Sequence, residues 1–107
     1  MHTNGSCGIA RTMEILGGKW TILLVRDLME GPRRFSELEH SLAGISPRTL
    51  AARLKELEED SIISRDCSPG HPVYSLTERG LGLHGILDQM RWWGTDMKNA
   101  PQGVSAS

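Results

Sequence analysis

Three leucines at helical spacing constrain this chain more than any other feature. They lie in ISPRTLAARLKELEED, residues 45–60. Leu50, Leu54 and Leu57 fall on one side of an α-helix, so the stretch must bury a narrow apolar stripe against a core. Ser46 offers a side-chain oxygen to an orphan N–H of the first turn, and Pro47 suits the first helical position, where its missing N–H removes no bond. The side away from the stripe carries Arg48, Ala52 and Lys55, with Thr49 and Arg53 toward one edge. A helix that hides leucines and presents guanidinium, hydroxyl and small groups near its N-terminal end has the shape and chemistry for a DNA major groove. An ordinary amphipathic surface helix reads the same way.

The preceding stretch narrows the choice. Residues 34–42, RFSELEHSL, read as a short helix in which Ser36 and Glu39 fit an S-x-x-E capping box and Leu38 and Leu42 share a face. Ala43-Gly44-Ile45 is then a tight turn, with Gly44 free to take the left-handed conformation and Ile45 returning to the core. Two helices joined by a short turn containing glycine make a helix-turn-helix. Residues 33–35 read as a short extended piece that can add an edge strand before it. Residues 62–65 and 73–76 are β-like, and between them Ser68-Pro69-Gly70-His71-Pro72 is dense in turn formers. The expected fold is mainly α (α+β): a winged helix-turn-helix with a short β-hairpin wing.

Helices fill the rest. Ile9, Met13 and Leu16 share a face in a first helix opened by Cys7 and stopped by Gly17-Gly18. Residues 19–29, KWTILLVRDLM, form the expected central core helix, with Asp27 as its one polar interruption. Thr77 caps a last, long helix running to about Lys98, with Leu83, Ile86, Leu87, Met90 and Trp93 as its stripe and Gly80, Gly82 and Gly85 weakening its start. At 107 residues the chain reads as one domain over 7–98, with flexible tails at 1–6 and 99–107.

The net charge of −1 does not announce a nucleic-acid binder; the distribution matters more than the sum, and it fits either a DNA-facing surface or a normally solvated helix face. From Gly31 to Lys55 five basic residues oppose two acidic ones, a local balance of +3, and Glu56, Glu58, Glu59 and Asp60 follow at once. Two distant cysteines, Cys7 and Cys67, make neither a metal-ligand pattern nor a secreted disulfide framework, which favours a reducing cytoplasm. The longest apolar run, 22–25, cannot span a membrane. His2, His40, His71 and His84 are scattered, and no P-loop, dinucleotide, nucleophile-elbow or zinc-protease motif is present. No enzyme, cofactor or metal is expected.

At this point the residues resemble a known family. Cys7, Ile15-Leu16-Gly17-Gly18-Lys19-Trp20, Gly31-Pro32-Arg33-Arg34-Phe35-Ser36-Glu37-Leu38, Gly44-Ile45-Ser46-Pro47-Arg48-Thr49-Leu50, Leu54-Lys55-Glu56-Leu57-Glu58 and Tyr74-Ser75-Leu76-Thr77 together are similar to the HxlR-type winged-helix regulators of bacteria and archaea. The resemblance spans about 7–94. It implies a homodimeric DNA-binding regulator whose first and last helices build the dimer. It further implies that some members sense oxidants or electrophiles through the N-terminal cysteine. Two departures stand out: the hairpin between Arg65 and Tyr74 is shorter than the family's, and Gly8 stands where proline commonly follows the cysteine.

The site expectations follow. Arg48 and Arg53 are the candidates for base edges or phosphates, with Thr49, Ser46, Ala52 and Lys55 beside them. Arg33, Arg34 and Lys19 are candidate backbone contacts, and Arg65 serves either the wing or a hairpin salt bridge. Cys7, at a helix N-terminus that favours its thiolate, is the candidate redox residue or else a half-buried interface residue. Ile9, Met13, Leu83, Ile86, Leu87, Met90 and Trp93 are the candidate dimer surface. The expected partners are a pseudo-palindromic double-stranded operator read by residues 46–59, a second copy of the chain, and an oxidant or small-molecule effector, for which the groove between first and last helices is the favoured place. The alternative is a winged helix used for protein–protein contact without DNA.

Overall fold

The leucine stripe is buried as its spacing requires. In a computed structural model, which describes residues 7–67 and 70–99, Leu50, Leu54 and Leu57 are 0, 2 and 1 % exposed. Their helix packs on Lys19–Leu28, whose Leu24, Val25 and Leu28 lie at the centre of the core. The order of elements is α1 (Gly8–Leu16), α2 (Lys19–Leu28), β1 (Arg33–Arg34), α3 (Phe35–Ser41), α4 (Pro47–Glu59), β2 (Ile63–Asp66), β3 (Val73–Leu76), α5 (Glu78–Leu81) and α6 (His84–Asn99). The strands form one antiparallel sheet in the order β1-β3-β2, with Arg33 opposite Tyr74 and Ser64 opposite Ser75. This is the winged helix-turn-helix, with the short extended piece serving as an edge strand. Among the described residues no helix is long and apolar enough to cross a membrane.

Both ends of α4 are closed by local chemistry. Ser46 Oγ accepts from the Thr49 N–H at 3.1 Å, with Pro47 at the first helical position. At the far end Ser61 has φ +62°, the one non-glycine residue of positive φ among those described. The Ile62 N–H then bonds the Leu57 carbonyl and the Ser61 N–H that of Glu58, a Schellman closure with serine in the place glycine usually takes. The turn before α4 uses Gly44 at φ +94°, flanked by buried Leu42 and Ile45.

Three expectations are corrected. The capping box of α3 is not Ser36–Glu39: β1 holds Arg34 in extended backbone, so the helix starts at Phe35 and Glu37 Oε1 accepts from the Arg34 N–H at 2.8 Å. The last helix is not continuous from Thr77. Thr77 Oγ1 accepts from the Gly80 N–H at 3.0 Å and donates to the Ser61 carbonyl at 2.6 Å, pinning α5 to the base of the hairpin. Gly80 sits so close that a Cβ there would stand 2.2 Å from the Ile62 oxygen. The chain turns at Gly82-Leu83 and restarts as α6, which takes in Asn99. Finally, Leu87, expected on the dimer surface, is 7 % exposed within the subunit's own core. Of the expected tails 1–6 and 99–107, all but Asn99 lies outside the described residues.

Two substitutions test these closures by urea or thermal unfolding. Gly80→Ala is expected to destabilise by about 2 kcal/mol or more, because the Ile62 backbone must shift. Ser61→Gly is expected to stabilise by up to about 1 kcal/mol, relieving a left-handed serine.

Candidate nucleic-acid interface

With its leucines buried, α4 has one side left for a partner. Arg48, Ala51 and Lys55 are exposed along it, while Thr49, Ala52 and Arg53 are half-buried. Ala51 thus replaces Ala52 in the exposed row, because the helix is rolled slightly on its stripe. Ser46 and Thr49 hydroxyls are 2.9 Å apart, Ser46 donating, so both are tied to the cap while keeping lone pairs outward. Arg53 is engaged within the helix: its Nη2 lies 3.2 Å from Glu56 Oε2, and its Nε is enclosed without a partner. The i,i+3 spacing of Arg53 and Glu56 was visible in the sequence and signals that pairing.

The other candidate cations sort by partner. Arg33 is held by Glu30 at 3.2 Å, and Arg65 of β2 by Glu58 of α4 at 3.6 Å, an ion pair from the wing to the helix rather than within the hairpin. Lys19 Nζ stands 4.8 Å above the Trp20 ring. That ring reaches the helix-turn-helix itself, since a Cβ on Gly44 would sit 4.0 Å from Trp20 Cη2. Arg34, Arg48 and Lys55 have no ion pair among the described residues.

Two depressions lie at the helix-turn-helix and wing, one of them on α4. One of about 340 Å³ joins Ala51 and Lys55 of α4 to Arg65 and Tyr74 at the base of the wing. Another of about 360 Å³ joins Arg34, Phe35 and Ser36 to His71 and Pro72 on the wing. Basic side chains of β1, α4 and β2 are therefore set beside concave surface next to the helix-turn-helix and wing. Such an arrangement can neutralise phosphates and offer Arg48 to a base edge. His71 was not singled out from the sequence, and only the fold brings it beside Arg34.

The remaining candidates lie on the first and last helices. Cys7 is the N-cap of α1, half-buried, and Cys67 is exposed in the wing; both are free thiols. Ile9, Met13, Ile86, Met90 and Trp93 are exposed, and so is Trp92, while Leu83 leans on the core. Among the described residues no cluster of His, Cys, Asp or Glu could hold a metal ion.

Comparison with known proteins agrees with this geometry. The family model described as HxlR-like helix-turn-helix matches residues 15–102. The HTH-type transcriptional regulator YodB of Bacillus subtilis is 42 % identical over 82 residues, covering 74 % of this chain and 73 % of that protein. The redox regulator HypR in its reduced form superposes with a TM-score of 0.81 at 34 % identity, covering 87 % of this chain and 95 % of that one. Quinone-bound YodB superposes at 0.73 with 35 % identity, covering 82 % and 96 %. Family, relatives and fold agree: the chain is a DNA-binding transcriptional regulator of the HxlR-like helix-turn-helix family.

Proposed function

We propose that the chain acts in the cytoplasm as a homodimer that grips a pseudo-palindromic operator with two copies of residues 46–59, and that Cys7 is its thiol switch. The observation that carries the first part is the division of α4. Its leucines are sealed in the core while Arg48 and Lys55 stand outward without ion pairs. Arg48 is the base-edge or phosphate contact. Thr49 offers its hydroxyl to phosphate, that of Ser46 being given to Thr49, and Arg34 and Lys19 hold the backbone from the side. Arg33, Arg53 and Arg65 must first leave Glu30, Glu56 and Glu58, so they act as adjustable phosphate contacts, weakened by those carboxylates.

Dimerisation is supported by the apolar side chains left outside. Ile9 is 79 % exposed, Trp92 70 % and Trp93 66 %, all on the two helices at the chain's extremes. Exposed apolar surface of this kind marks an association site. A two-fold pair of α4 helices then meets half-sites about 34 Å apart, or a multiple of it.

Cys7 sits at the N-cap of the same α1 that carries Ile9 and Met13. HypR is a redox regulator and YodB has been crystallised with a quinone bound, which supports the same chemistry here. Addition of the Cys7 sulfur to a quinone ring carbon forms an S–C bond at the expense of a ring C=C bond; the thiol proton goes to one ring oxygen and the proton of the attacked carbon moves to the other, giving a hydroquinone thioether. The bulk added at the head of α1 disturbs the dimer face and with it the spacing of the reading helices.

Gel-shift titration of upstream intergenic DNA tests the reading. Arg48→Ala is expected to lose about 5- to 150-fold in affinity, the range of one good arginine contact. Raising salt from 50 to 200 mM is expected to weaken the native complex by at least about tenfold. Trp93→Glu is expected to yield monomers in sedimentation and to abolish tight operator binding. Benzoquinone is expected to change the affinity of the native chain and to leave Cys7→Ser unaffected. Operator affinity that ignores salt and Arg48 alike would overturn the proposal.

A further inference from the structure

Between α2 and α6 lies a cleft of about 210 Å³ lined by Ile22, Leu23, Arg26, Leu87, Met90 and Arg91. Four apolar side chains form most of its lining, and one arginine from each helix completes it. Neither arginine is saturated. Arg26 gives Nε and Nη2 to Asp27 Oδ1 at 3.2 and 3.0 Å, and Arg91 gives Nη1 to Asp88 Oδ1 at 3.2 Å. A guanidinium carries five N–H donors, so over half of the fork on Arg26 and most of that on Arg91 stay available.

We propose that this cleft binds a small organic monocarboxylate, held by Arg26 and Arg91 over the apolar lining, and that Asp27 and Ser41 transmit its presence to the helix-turn-helix. Two arginines suit a carboxylate through paired charge-assisted bonds. The apolar lining selects an organic acid over a fully hydrated inorganic anion. The volume lies below the about 300–1,000 Å³ of drug-sized sites, which limits the guest to a single ring or a short branched chain. This cleft lies between the second and last helices, apart from the groove expected between the first and last.

The transmission runs through three adjoining bonds. Arg26 holds Asp27 Oδ1, and Asp27 Oδ2 accepts from Ser41 Oγ at 2.5 Å. Ser41 is the last residue of α3, the first helix of the helix-turn-helix. Asp27 is 8 % exposed, so its oxygens rely on these partners for hydrogen bonds. A guest carboxylate competes for Arg26 and throws Asp27 onto Ser41, which resets how α3 is fastened to α2. This step rests on the regulator reading above; binding in the cleft does not.

Sodium benzoate and its neutral isostere benzamide serve as probes of the full chain. Binding is followed without DNA by the arginine Nε–H resonances in NMR, and operator affinity is measured with and without saturating benzoate. Benzoate is expected to shift the Arg26 and Arg91 signals saturably, and benzamide to bind at least about tenfold more weakly. Arg91→Gln, a change at a side chain 62 % exposed, is expected to weaken benzoate about tenfold without disturbing the fold. Ser41→Ala is expected to keep benzoate binding while losing the benzoate-dependent change in operator affinity. Equal binding of both probes, an unsaturable response, or full benzoate affinity in Arg91→Gln overturns the site. A benzoate complex with the operator affinity of the free protein overturns the transmission. A chain that binds benzoate but no DNA fails only the regulator reading, and one that binds DNA but no benzoate fails only the cleft.

Discussion

The seating of the α4 leucines on α2 is the contact on which everything else depends. Leu50, Leu54 and Leu57 meet Leu24, Val25 and Leu28 in one apolar cluster, each close to fully buried. Burying a leucine contributes roughly 1.5–3 kcal/mol, so this single face supplies a large share of the stability of so short a chain. It also decides orientation. A helix pinned along one side has only the opposite side to offer, and the residues there are Arg48, Ala51 and Lys55. Structure and recognition are thus two faces of the same element.

The fold was legible wherever the signal was local. The Ser46-Pro47 start, the leucine spacing, the Gly44 turn and the Pro/Gly-rich hairpin loop each carry their own physical reason within a few residues. What escaped depends on neighbours distant in the chain. The Gly82 break follows from Gly80 resting on the Ile62 carbonyl and from Thr77 bonding to Ser61, contacts between α5 and the base of the hairpin. The left-handed Ser61 lacks the glycine that would have advertised it. The cap of α3 moved because β1 pairs with β3 and fixes Arg34.

The site was legible to a lesser degree. The facing of α4 was legible in part: a wheel places Arg48 and Lys55 away from the leucines, and both are exposed. Charge availability was not. Four of the basic residues near the reading helix already have a neighbour, three of them a carboxylate and Lys19 an indole. Composition counts these cations as equal, whereas their partners rank them. Arg26 and Arg91 also have a carboxylate each, yet they line a cleft that no motif marks.

The two-residue strand β1 has a consequence for how this molecule avoids unwanted company. It closes one margin of the sheet with two consecutive arginines, and the opposite margin, β2, exposes Ser64, Arg65 and Asp66. Margins so brief and so charged give a foreign extended segment little backbone to zip onto and repel similar ones. The sheet margins are thereby closed to strand pairing, and the large exposed apolar side chains Ile9, Trp92 and Trp93 lie on helices instead.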